Sequence, residues 1–306
     1  MIDFGLVLAR LLHYAATTTL FGASLFPLYA YVDAEPERAW LRRRKLLRLT
    51  AILAWVSGLL WFVFSAASMT GSLTDLADGE ALWAVVHDTG FGVIWTGRII
   101  LATVMIIVLT AVHPLRTARQ NIAISALAAM LLASLAGGGH TQAEEGWASL
   151  VHVSADAAHL LAAGAWLGGL VPLAYVLAQH AKISRGSIST DRVLQKFSGM
   201  GYVAVAALIG TGVINSWFLV GSISNLMTTL YGQVLLAKLG LFAGMLALAV
   251  ANRFWLVPSI GEVRSGGEPE TSLRQLRHHV FGEQVLGLVV LAIVGLLGTL
   301  PPAIGP

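Results

Sequence analysis

Eight stretches of mostly apolar residues follow one another along the 306-residue chain, at about 4–32, 46–69, 91–112, 120–138, 148–179, 197–220, 232–257 and 280–300. Each is long enough to cross about 30 Å of hydrocarbon as an α-helix. Only 11% of the residues are charged, against roughly 25% in an ordinary soluble domain, so most of the length cannot face water. The expected fold class is all-α: a polytopic integral membrane helical bundle of eight transmembrane helices. The first stretch lacks a basic leader and an A-x-A-like cleavage site and carries Arg10 and His13. It reads as a retained helix rather than a signal peptide. Cysteine is absent, which excludes disulfides, thiolate metal sites, Fe–S clusters and a Cys nucleophile.

The connections carry the orientation signal. Basic residues crowd the links between spans one and two (Arg38, Arg42, Arg43, Arg44, Lys45, Arg48), three and four (Arg116, Arg119), five and six (Lys182, Arg185, Arg192, Lys196) and seven and eight (Arg253, Arg264, Arg274, Arg277). The opposite connections, 70–90, 139–147 and 221–231, and both termini carry no Lys or Arg. Both termini are therefore expected outside. The net charge of +3 is a matter of topology and implies membrane lipid, not nucleic acid, as the surrounding partner.

A repeat runs through the chain. Arg10-x-x-His13 is followed by Leu20-Phe21-Gly22 and Pro27, and Asp156-x-x-His159 by Trp166-Leu167-Gly168 and Pro172. Thr89-Gly-Phe91-Gly92 precedes Arg98 with the spacing by which Thr229-Leu-Tyr231-Gly232 precedes Lys238. Arg48-Leu-Thr50 and Lys196-Phe-Ser198 form a weaker match between spans two and six. The collinear order predicts two four-helix halves, 1–138 and 139–306, as parallel repeats about an axis along the membrane normal. The glycines Gly22, Gly58, Gly164, Gly168 and Gly212 read as close helix contacts, and Pro27 and Pro172 as kinks.

Ionisable groups at membrane depth are costly and default to function with a named partner. Arg10, Arg98, Asp156 and Lys238 fall toward the outer ends of their helices, and Glu283 in the inner half or middle of the last one. His152, Asp156 and His159 occupy one helix face at i, i+4 and i+7. His140 sits in the outer loop before them, and His13 at matching depth on the repeat-related helix. Imidazoles with a carboxylate suit Cu(II) or Zn(II), whereas Cu(I) prefers the Cys or Met that this region lacks. Asp156 is a ligand or an orienting group. Three readings stay open from spacing alone: a metal site, a structural polar network built on an Arg10–Asp156 ion pair, and a haem b with His13 and His159 as axial ligands. His279 and Glu283, at i and i+4, form a candidate inner relay or exit site. Trp40, Trp61, Trp83, Trp95 and Trp147 fall near predicted boundaries and read as an aromatic belt. No Walker A, H-E-x-x-H, G-x-S-x-G or dinucleotide fingerprint occurs, so the chain reads as a transporter rather than an enzyme and as one not driven by its own ATP hydrolysis.

The stretch His159-Leu-Leu-Ala-Ala-Gly-Ala-Trp166-Leu-Gly168-Gly169 resembles the signature helix of the copper resistance protein D family. Lys196-Phe-Ser198, Thr211-Gly212, Tyr231-Gly232 through Lys238, Asn252-Arg253, Glu283 and Pro301-Pro302 continue the likeness, as do Arg10-x-x-His13-Tyr14 and Gly139-His140. The resemblance implies an eight-span bacterial inner-membrane protein of copper homeostasis, with periplasmic termini and a periplasmic copper-binding partner. It implies copper uptake from periplasm to cytoplasm; the alternative, read from the paired histidines, is a b-type cytochrome or a membrane copper reductase. On this carry-over His13, His140, Asp156 and His159 are candidate copper contacts, and Lys238, Asn252 and Glu283 pathway or structural residues. The helix-face reading adds His152 as an entry ligand, and Arg10, Arg98 and His279 as further pathway or structural polar residues. The outer loops lack the Met-rich sequences of copper chaperones.

Overall fold

A computed structural model of the chain describes residues 2–31, 35–72, 78–111, 117–137, 146–180, 190–256 and 269–304. Within them the chain is helical: α1 (Ile2–Ala30), α2 (Glu37–Thr70), α3 (Gly79–Asp88), α4 (Gly90–Ala111), α5 (Ala118–Ala133), α6 (Gly146–Ala163), α7 (Gly169–His180), α8 (Thr190–Leu219), α9 (Ile223–Thr228), α10 (Leu230–Ala251) and α11 (Pro269–Leu297). A tight turn, Ser134–Gly137, extends α5, and wide π-type turns, Gly164–Gly168 and Asn252–Leu256, follow α6 and α10. Eight helical segments among the described residues are long and apolar enough to span a membrane, α6 and α7 counting as one. These are the eight expected from hydropathy.

Local chemistry sets the boundaries. Thr117 and Gln120 form a reciprocal capping box at the start of α5, satisfying two end-of-helix donors at once. Gly71, at φ 94°, ends α2 in the left-handed conformation that glycine adopts without Cβ strain. Short α3 and α9 each lead into a spanning helix through a threonine. Thr89 Oγ1 accepts from Gly92 N (2.9 Å) while donating to the Val85 carbonyl (2.6 Å). Thr229 Oγ1 accepts from Gly232 N (3.0 Å) while donating to the Asn225 carbonyl (2.7 Å).

α1 is the hub. It packs on α2 and α5 on one side and on the α6–α7 span, α8 and α11 on the other. The crossing with the α6–α7 span is backbone against backbone. A Cβ on Gly22 would meet the main chain of Gly164 and Gly168, and one on Gly168 would meet the Thr18 carbonyl. Only glycine allows so close an approach in a bilayer, where dispersion between helices replaces hydrophobic driving force. The wide turn at Gly164–Gly168 lies at this crossing, just ahead of Pro172, whose missing N–H leaves the Gly168 carbonyl without its helical partner. The start of α1 lies against the end of α11, since a Cβ on Gly295 would lie 3.2 Å from the Val7 carbonyl.

One apolar core joins α1, α2, α4 and α5, and another joins the end of α1 to α7, α8, α10 and α11. Trp61 and Trp95 depart from the expected interfacial belt. They are buried in the first core with ring centroids 4.9 Å apart, because they enclose a polar group there. Trp83 and Trp147 are exposed, as belt residues are.

Candidate functional site

His13 is 2% exposed and uses both ring nitrogens. Arg98 Nη2 lies 2.6 Å from Nε2. A guanidinium only donates, so Nε2 accepts and the ring proton sits on Nδ1. Nδ1–H then donates to Ser57 Oγ (3.1 Å), whose own proton goes to the Leu53 carbonyl (2.6 Å). Arg98 Nη1 donates to the Leu131 carbonyl (3.1 Å) and to Ser134 Oγ at the tight turn after α5, while its Nε has no hydrogen-bond partner among the described residues. Trp61 and Trp95 present their rings to His13, each with centroids 5.6 Å away. Arg10 lies 5.0 Å over Trp61 and Arg98 lies 4.8 Å over Trp95. Cation–π contact thus takes the place of a carboxylate partner for both guanidinium groups.

His159 is built from the corresponding parts of other helices. Its Nδ1 lies 2.9 Å from Thr211 Oγ1 of α8, and Thr211 donates to the Ala207 carbonyl (2.6 Å). That sets the same tautomer, with the lone pair on Nε2. Gly212 lets α8 approach this ring as Gly58 lets α2 approach His13. Lys238 is the cationic neighbour of His159, in the place Arg98 takes beside His13. The hydroxyl–glycine pairs Ser57-Gly58 and Thr211-Gly212 are the signal that sequence reasoning missed. They match spans two and six in a different register from Arg48-Leu-Thr50 and Lys196-Phe-Ser198.

The two histidine settings differ in access and charge. His159, Asp156 and Lys238 are only half-buried. Asn215 Nδ2 donates to Asp156 Oδ1 (3.2 Å), and Asp156 interacts electrostatically with Lys238 and His152. Tyr14 of α1 and Tyr231 of α10 are near enough to feel the same carboxylate. His152 is buried and stacks on Phe218 at 4.7 Å. The Arg10–Asp156 ion pair, one of the three readings open from spacing, is absent among the described residues. Arg10 turns to Trp61 instead, and its Nε and Nη1 have no hydrogen-bond partner among those residues. His140 lies outside the described residues.

No group of three or more His, Asp or Glu side chains that could hold a metal ion occurs among the described residues. A haem ligated by His13 and His159 does not fit this arrangement. His13 has no nitrogen to spare, and its ring is enclosed by two tryptophans where a porphyrin would have to stand.

A second polar cluster lies deeper along α10 and α11. His279 Nδ1 lies 2.8 Å from Asn252 Oδ1, and Asn252 Nδ2 donates to Glu283 Oε1 (2.6 Å). The Trp166 indole also donates to Glu283. His279 and Glu283 therefore meet through Asn252, held out by the wide turn that ends α10.

Compared with known proteins, residues 1–150 match the description "Copper resistance protein D-like, N-terminal domain" and residues 191–297 match "Copper resistance protein D". Copper resistance protein D of Pseudomonas syringae pv. tomato is 33% identical over 300 residues, covering 97% of this chain and 96% of that protein. The chain belongs to the copper resistance protein D family. The inner membrane protein YebZ of Escherichia coli K12 is 31% identical over 99% of this chain and 100% of its own length. The copper transport protein CutJ of Bacillus subtilis is 26% identical over 79% of this chain and 45% of that longer protein. No solved structure matches. This family member is thus a helical, multi-pass inner-membrane protein of copper resistance and transport. Its His13–Ser57–Arg98 group falls in the first matched segment, and Thr211, Lys238, Asn252 and Glu283 in the second.

Proposed function

We propose that the protein carries copper from the periplasm to the cytoplasm and that the cargo is first held where the two halves of the chain meet, at His159 and Asp156. The observation that carries this reading is the state of His159. Thr211 Oγ1 accepts a hydrogen bond from its Nδ1–H and so leaves the Nε2 lone pair to serve as the metal donor, one turn from a carboxylate oriented by Asn215. Metal-ligating histidines are held by a partner on the second ring nitrogen in this way. His152, on the same face, and His140, before it in sequence, feed the site. His13, held on both ring nitrogens by Ser57 and Arg98, supports the site by fixing the helices around it rather than as a ligand. A site of few ligands beside cations binds weakly, which suits a carrier that must let its cargo go.

The basic connections support a periplasmic position for the termini and this site, where a soluble copper-binding protein would deliver the metal. The matched histidine, hydroxyl, glycine and cation positions in α1, α2 and α4 and in α6, α8 and α10 support a parallel repeat of two four-helix halves.

The test is copper titration of the purified protein. His159→Ala is expected to weaken copper binding, with at least a tenfold rise in Kd, and His13→Ala to weaken it less. Unchanged stoichiometry and affinity in both variants would overturn the assignment.

A further inference from the structure

The Asn252–Glu283 cluster opens onto a cavity of about 110 Å³ between α7, α8, α10 and α11. Its walls are aliphatic and aromatic, with Trp166, Phe197, Tyr202 and Phe254 contributing rings. Among the lining residues, Glu283, itself 2% exposed, accepts from Asn252 and Trp166. α8 and α10 diverge here. They make no sustained contact, whereas α2 and α4 pack along one another. Tyr202, Val250 and Phe254 line the cavity and are exposed on the apolar surface of the protein. The cavity therefore opens sideways, toward lipid.

We propose that this cavity is a binding site for a lipid-soluble ring compound of the quinone class, entering between α8 and α10 and hydrogen-bonding at Glu283 and Asn252. A ligand that arrives through the hydrocarbon must be apolar over most of its surface. A ring lined by four aromatic side chains favours a flat head group. A buried carboxyl is too costly at membrane depth to serve an acyl chain, which has nothing to bond to it. Carboxyl and amide together supply both donors and acceptors, matching a ligand edge that alternates between carbonyl and hydroxyl. A phospholipid head group would require several cations, and Arg253 is the one cation among the lining residues. The proposal concerns binding and stands apart from copper capture at the other cluster.

The experiment uses the purified full-length protein in detergent, with a decyl-substituted benzoquinone as probe and its photoactivatable azide for mapping. Gly201 lines the cavity, and a Cβ there meets no atom within 4 Å, so Gly201→Phe adds bulk at the cavity wall from a position with room for a side chain. Saturable binding is expected in the wild type, with Kd raised at least tenfold in both Gly201→Phe and Glu283→Leu and the crosslink mapped to α8 or α10. Copper titration of Gly201→Phe is expected to match the wild type. Absence of saturable binding, affinity unchanged by Gly201→Phe, crosslinks outside the cavity, or a co-purified phospholipid that the quinone does not displace would each overturn the proposal.

Discussion

The surroundings of His13 and His159 use the same parts and reach opposite outcomes. In the first, α2 and α4 pack together, and histidine, serine and arginine close into a network that leaves His13 2% and Arg98 4% exposed. In the second, α8 and α10 part, and His159, Asp156 and Lys238 remain half-buried. The charges differ too. Arg10 and Arg98 sit on tryptophan faces, whereas Lys238 faces the carboxylate of Asp156. A polar group is inert when every hydrogen-bonding direction is filled and accessible when one is not. The first histidine is thus suited to hold the bundle together, and the second to exchange partners.

The largest expected effect comes from the surface that joins them. Gly22→Leu places a side chain into the backbone of Gly164 and Gly168. Overpacking with no room to relax costs about 3 kcal/mol or more, so the variant is expected to lose its monodisperse peak in size-exclusion chromatography. A normal elution profile and Tm would break the picture of a fixed crossing.

A smaller effect separates the two cations. Arg98→Lys keeps the charge but loses the planar fork that reaches His13, Ser134 and the Leu131 carbonyl at once. Hydrogen bonds to charged groups contribute about 1.5–3 kcal/mol each, so a clear fall in Tm is expected. Lys238→Arg, in the looser setting, is expected to leave Tm nearly unchanged. Equal losses in the two variants would erase the distinction between closed and open histidines.

The smallest effect probes the glycines beside the two rings. A Cβ on Gly58 would lie 3.3 Å from His13 Cε1, and one on Gly212 would lie 3.7 Å from His159 Cε1. Alanine gains about 1 kcal/mol of helix propensity over glycine. Gly212→Ala is therefore expected to raise Tm slightly, while Gly58→Ala spends that gain on a tight contact and lowers it. Identical shifts would show that both rings have the same room.

Hydropathy and the order of polar residues were enough to place the eight spans, because crossing hydrocarbon demands long apolar helices whatever their neighbours. The similar spacing around His13 and His159 and ahead of Arg98 and Lys238 stood out in the sequence for a similar reason: polar residues at membrane depth are few. The Gly22–Gly168 crossing was visible as a motif, though its glycines did not announce which backbone they would touch. Partnership was not legible. Arg10 binds Trp61 rather than Asp156, Trp61 and Trp95 leave the interface to enclose His13, and Asn252 bridges His279 to Glu283.

Transmembrane character, span count and the identity of the buried polar groups therefore belong to the sequence alone, since each follows from the local cost of placing a residue in lipid. Which histidine is closed, which carboxyl faces a cavity and where two helices part belong to the tertiary structure. These depend on contacts between residues far apart in the chain, such as Ser57 with His13 and Thr211 with His159, whose geometry no local pattern encodes.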